Sequence, residues 1–69
     1  MTKKTMSLAL PQREMDALEQ LSEQKGISKS AVIRQALRFY QSIDLRLEAG
    51  DKLFFEDPTS KEKSEIFVL

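Results

Sequence analysis

Few residues of this chain are of types that do chemistry, and the two commonest catalytic types are missing. It has no Cys, which excludes a disulfide framework and thiolate metal ligation, and no His, the most frequent general base and imidazole ligand. Ser22-Glu23-Gln24-Lys25 matches the Ser-x-x-Lys spacing with which some acyl-transfer enzymes activate a serine. No companion motif goes with it, and 69 residues are too few to build a cleft around it. Asp16, Glu19 and Glu23 could line a helix face that binds a divalent cation weakly, but a solvated acidic face explains them as well. The reading is of a non-enzyme that needs neither a metal nor an organic cofactor.

A different chemistry is available where helices begin. Ser28 stands just after Gly26 and just before a long apolar series, the place of an N-cap. A reciprocal capping box would need Glu or Gln at position 31, and Ala31 is there instead. Backbone N–H groups of Lys29 and Ser30 are then open to an anion such as a phosphate, with the Lys29 ammonium and the Ser30 hydroxyl beside them.

The elements that position these groups follow from spacing. Met6, Leu8 and Leu10 alternate with Thr5, Ser7 and Ala9, the period of a half-buried strand over residues 3–10. Pro11 stops the ladder and suits the first turn of a helix. Met15, Leu18 and Leu21, with Ala17 beside them, predict that helix, which ends with Lys25 in its last turn and Gly26 as a left-handed residue. Val32, Ile33, Ala36, Leu37, Phe39, Tyr40, Ile43 and Leu47 predict a second helix over about 29–49, stopped by Gly50. Its apolar face is wider than one neighbouring helix covers. Lys52–Glu56 and Ser64–Leu69 are rich in β-formers around the turn Asp57–Lys61, which predicts a hairpin.

Composition bounds the rest. At 41% hydrophobic and 32% charged residues, the chain is too apolar for a disordered polymer and too charged for a membrane span. No signal-peptide core follows the first Met, so a soluble intracellular protein is expected. So short a chain has a small core, and a homodimer is the expected source of more. Eleven basic and eleven acidic groups give a formal net charge of zero, but they are not evenly spread. Residues 1–40 hold seven basic groups and four acids, whereas residues 41–69 hold four and seven. That asymmetry suggests a basic contact surface and a separate acidic one.

Strand 3–10 has no hairpin partner, because a helix follows directly. It can add to the C-terminal hairpin of its own chain, or a two-fold axis can pair it antiparallel with its copy in a second subunit. In the second case Met6, Leu8 and Leu10 of both chains face the helices, and the exposed side carries Thr5, Ser7 and Ala9. Such a two-stranded ribbon fits the major groove of B-DNA.

Strand, helix, Gly-containing turn and capped helix, with Gly26-Ile27-Ser28-Lys29-Ser30-Ala31-Val32-Ile33-Arg34-Gln35-Ala36-Leu37, resemble the ribbon-helix-helix DNA-binding family of the Arc, MetJ and CopG type. The resemblance covers residues 3 to about 43. It implies a mostly α fold with short β: an intertwined homodimer whose intermolecular antiparallel ribbon enters the major groove, while the start of the second helix clamps the phosphate backbone. It puts Thr5, Ser7 and Ala9 at base-reading positions and the start of the second helix, Ser28, Lys29 and Ser30, at phosphates. Beside these, Lys3 or Lys4 can reach guanine or phosphate, Lys3 being read as a base contact and Lys4 as a phosphate contact, and Arg13 near the ribbon exit is read as a backbone contact. No Arg, Asn or Gln on the ribbon offers a bidentate contact to a base, so the reading set is thin. Met6, Leu8, Leu10, Ile33, Leu37 and Tyr40 form the implied dimer core. Arg34 and Arg38, one turn apart, either add to the positive field or, the role expected of them, pair with acids of the first helix or of the partner.

The resulting expectation is a two-part chain: residues 1–50 for DNA binding and dimerisation, and residues 51–69 as a hairpin extension. Leu53, Phe55, Ile66 and Val68 would extend the dimer core, or Phe54, Phe67 and Leu69 would dock another protein. The function expected is a prokaryotic, cytoplasmic, nucleoid-associated transcriptional regulator, a repressor of the operator type. Several dimers would sit side by side on double-stranded DNA. The alternative is an antitoxin whose C-terminal part neutralises a toxin protein.

Overall fold

Pro11 decides where the first helix starts. In the computed structural model, which describes residues 3–68, it has φ −56° and ψ 156°, extended values that make it the N-cap and not the first helical residue. Its carbonyl accepts the Met15 N–H at 3.0 Å, and its own lack of an N–H is harmless there. Helix α1 then spans Gln12–Lys25, α2 spans Lys29–Glu48, and the strands β1 and β2 are Leu53–Glu56 and Lys63–Ile66.

Helix α1 ends as the glycine predicted. Gly26 takes φ +64°, its N–H donates to the Glu23 carbonyl at 3.3 Å, and the Ile27 N–H donates to the Ser22 carbonyl at 3.2 Å. These two bonds satisfy carbonyls that the last helical turn would otherwise leave open. Ser22 follows Met15 and Leu18 in the inward stripe of α1, and its hydroxyl donates to the Ile27 carbonyl. The hydroxyl of the Ser-x-x-Lys spacing is therefore a clasp of this turn.

The chain divides into two compact units between Arg34 and Gln35. In the first, Val32 is buried, and Leu10, Met15, Leu18, Ile27, Ala31 and Ile33 are half-buried. In the second, Ile43, Leu47, Leu53 and Ile66 are half-buried. Helix α2 ends there on Gly50, at φ +93°, with the Asp51 N–H donating to the Arg46 carbonyl and the Gly50 N–H to that of Leu47, both at 3.0 Å. An ion pair of Arg46 Nε with Asp51 closes the same turn.

Strands β1 and β2 pair antiparallel, Leu53 opposite Ile66, Phe54 opposite Glu65, Phe55 opposite Ser64 and Glu56 opposite Lys63. The hairpin expected from composition is present, with Lys63 drawn into β2 by its pairing to Glu56 and Lys52 left outside β1. Asp57 organises the turn: its Oδ1 accepts N–H groups from Thr59 at 2.8 Å and Ser60 at 3.0 Å, and its carbonyl accepts the Lys61 N–H at 2.8 Å. An open cleft of about 470 Å³, lined by Ile43, Leu47, Leu53 and Phe54 among others, leaves the hairpin loosely packed on the end of α2. Of the residues expected to pack or to dock here, Phe54, Phe55, Phe67 and Val68 are exposed, and Leu69 lies outside the described residues.

The strand expected over residues 3–10 is not formed by the chain taken singly. These residues make no backbone hydrogen bond within the described part of the chain, and the sheet contains β1 and β2 alone. A strand is defined by its neighbour's hydrogen bonds, and one chain supplies none here.

Two outcomes follow from the turns. A Cβ on Gly26 would meet no atom within 4 Å, so Gly26→Ala adds backbone strain alone. It should lower stability by about 1 kcal/mol per chain, read as a lower denaturant midpoint at unchanged m-value. The Asp57 carboxyl is held below its ordinary range by N–H groups of Ser60 first and Thr59 second. Its contribution to the turn is therefore complete above the unfolded value of about 3.9 and fades as pH falls through the lower folded value. Amide shifts of Thr59 and Ser60 should move together in that acid window, and Asp57→Asn should abolish the transition.

Candidate nucleic-acid interface

The start of α2 is built by the turn that ends α1. Once Gly26 has reversed the chain, Ser28 accepts the Ala31 N–H on its Oγ at 3.1 Å, and its carbonyl accepts the Val32 N–H at 3.0 Å. It is a single-sided cap, as the absent acid at position 31 predicts. Within the described chain the N–H groups of Ser28, Lys29 and Ser30 find no acceptor. Three successive amides at the positive end of a helix of 20 residues are a suitable cradle for an oxyanion. No acid stands in the first turn of α2 to compete with it.

Around that cradle the side chains are exposed. Ser28 and Ser30 lie open to solvent. Lys29 does as well, but its Nζ lies 3.3 Å from Glu19 Oε1, in an ion pair whose partners are each about half exposed (52% and 50%). Sequence reasoning missed this contact. Glu19 is ten residues from Lys29 and across the Gly26 turn, so no i, i+4 spacing announces it. What that spacing does find is the Gln12 side chain donating to Asp16 at 2.7 Å.

Arg13 is exposed in the first turn of α1, and among the described residues neither it nor Arg34 nor Arg38 forms an ion pair. The expected pairing of Arg34 and Arg38 with acids of α1 is not made within the chain. Of those acids, Glu19 goes to Lys29 and Asp16 to Gln12. No three carboxylates come together among the described residues.

Lys3, Lys4, Thr5, Ser7 and Ala9 are all exposed on the segment before α1. The residues read as dimer core divide in two. Leu10 and Ile33 are half-buried, whereas Met6 at 76%, Leu8, Leu37 at 64% and Tyr40 at 51% are exposed apolar surface in the single chain. Among the described residues no helix is long and apolar enough to cross a membrane.

No curated protein and no solved structure shows a significant match to this chain. Residues 4–41 match the profile of the ribbon-helix-helix proteins of the copG family, a stretch that includes most of the segment before α1, all of α1 and the cradle at the start of α2. Proteins of that family bind DNA as dimers and are typically transcriptional regulators or antitoxins, generally without enzymatic activity. More than half of the chain lies within the match, and the chain belongs to the ribbon-helix-helix, copG family.

Proposed function

We propose that this protein is a homodimeric transcriptional regulator, a repressor, that reads operator DNA through an intermolecular β-ribbon laid in the major groove. Residues 3–10 of two chains pair antiparallel, with Met6, Leu8 and Leu10 turned to the helices and joined in the dimer core by Ile33, Leu37 and Tyr40. Lys3, Thr5, Ser7 and Ala9 then face base edges. The Thr and Ser hydroxyls bond to them, and the Ala9 methyl packs on a thymine methyl. Lys4, Arg13 and the group Ser28, Lys29, Ser30 hold phosphates on either side and set the register of the ribbon. Residues 1–50 are the DNA-binding and dimerisation part and residues 51–69 an extension. The protein works in the prokaryotic cytoplasm on the nucleoid.

The observation that carries this reading is the set of open amides at the start of α2, lying inside the stretch that matches the family. The exposed apolar residues Met6, Leu8, Leu37 and Tyr40 support the dimer, since a soluble monomer rarely leaves so many large side chains in water. A thin base-reading set supports side-by-side dimers on repeated half-sites, where each dimer adds its modest specificity to the next.

A second reading has its own support. Phe55 at 71% and Phe67 at 77% exposure lie beyond the matched stretch and are uncovered in the chain. That surface favours an antitoxin in which the extension docks a toxin protein. The two readings share the DNA-binding half and differ in what covers the hairpin.

Selection of bound fragments from random DNA should enrich a repeated half-site. With about four to six phosphate contacts per dimer, log K should fall with log salt at a slope of roughly −4 to −5. Lys29→Glu should flatten that slope by about 2 per dimer with dimerisation intact, and Ser7→Ala should cost about 1 kcal/mol per half-site in specificity without changing it. No enrichment at low salt would overturn the assignment. Hydrogen exchange separates the two readings: hairpin amides protected in the isolated dimer favour a structural extension, and protection gained only with a second protein favours the antitoxin.

A further inference from the structure

We propose that Glu19 tunes DNA affinity downward by competing with the phosphate backbone for Lys29. The inference rests on the reading of the start of α2 as a phosphate site, and it assigns a role to a residue of α1 outside that site. Glu19 Oε1 lies 3.3 Å from Lys29 Nζ, the one ion pair joining α1 to α2 among the described residues. Glu19 bonds to the ammonium and to none of the three open amides. The cradle therefore has a cation already engaged by a protein carboxylate while its backbone donors are vacant.

The physical contest is uneven in an informative way. Both partners are about half exposed, so the pair is a screened surface contact that a better acceptor can displace. A phosphate reaching the start of α2 gains the amides and the helix dipole as well as the ammonium, so it displaces Glu19 from Lys29. The displaced carboxylate stays within a few ångströms of the phosphate and repels it. Glu19 thus weakens binding without blocking it. The cation that Lys29 releases from the DNA is partly offset by one that the freed Glu19 carboxylate takes up, which also flattens the salt dependence.

The opposite sign is the alternative: a carboxylate that holds a long side chain ready would strengthen binding. Positioning one flexible ammonium gains little against a like charge kept beside the ligand, which is why the competition is expected to dominate.

The test is Glu19→Gln in the full-length protein, titrated against the selected operator across a salt series. Gln matches Glu in size and helix propensity, so α1 is retained. Binding should tighten about five- to tenfold at low salt, by Coulomb repulsion removed at two sites per dimer, and the slope of log K against log salt should steepen by up to about 2. Glu14→Gln removes the same charge from α1 about 140° around the helix, at a residue in no ion pair among the described ones, and should change affinity less than twofold. In a Lys29→Gln background, Glu19→Gln should leave the slope where it is, because no ammonium remains to be freed.

Equal or weaker binding by Glu19→Gln, or the same gain from Glu14→Gln, overturns the proposal. If Lys29→Gln flattens the salt slope while Glu19→Gln leaves affinity and slope unchanged, this inference fails and the phosphate site stands. If Lys29→Gln itself leaves the slope unchanged, the phosphate site falls and the inference falls with it.

Discussion

The left-handed turn at Gly26 is the constraint on which the first half of the molecule depends. Only there does the backbone leave α1 with its last carbonyls satisfied and return within two residues to start a new helix. The short return fixes where the N-terminus of α2 stands beside α1, and so brings Glu19 within reach of Lys29. It also decides which amides are spent: Ala31 and Val32 donate to Ser28, and the three before them find no partner among the described residues. Ser22 strengthens the same corner from α1 by bonding its hydroxyl to Ile27. A turn that is thermodynamically minor thus sets both the open amides and the carboxylate paired with Lys29.

A net charge of zero looks at first like an argument against DNA. Binding, however, responds to the charges near phosphate and not to the total, because charges beyond a Debye length of about 8–10 Å are largely screened. The first forty residues carry seven basic groups and four acids, and one of those acids is spent on Lys29. An internal counter-ion is a way to hold affinity at a moderate level while keeping the cation in place. Under the proposed reading, moderate affinity also suits a face of Thr5, Ser7 and Ala9, which lacks bidentate readers. Strong phosphate binding over such a face would raise affinity for every sequence alike and add nothing to discrimination.

The legible parts of the chain are those coded locally. The two helices, their glycine stops, the Ser28 cap and the Asp57 turn each depend on residues within about six positions, and the spacing of Met15 and Leu18 or of Asp57 and Ser60 announces them. What depends on partners distant in sequence was less legible. The Lys29–Glu19 pair joins two helices across a turn, where no local spacing announces it, and Arg34 and Arg38 make no ion pair among the described residues. Residues 3–10 show the same limit from the other side. Alternation marks them as strand, but alternation says which side chains share a face and not which chain supplies the hydrogen bonds.

The hairpin stands on a different footing from the family fold. It lies outside residues 4–41, and its shape comes from Asp57 and the register of four residue pairs more than from packing, since Phe55 and Phe67 are largely exposed. A segment that orders through its own turn can keep its shape while its surface changes. Phe54, Phe55 and Phe67 lie outside the matched stretch, and the acids near them in sequence or register, Glu56, Asp57 and Glu65, are unsuited to phosphate. Such a piece is free to acquire a partner of its own. A residual apolar surface on a locally stable element is what that freedom requires.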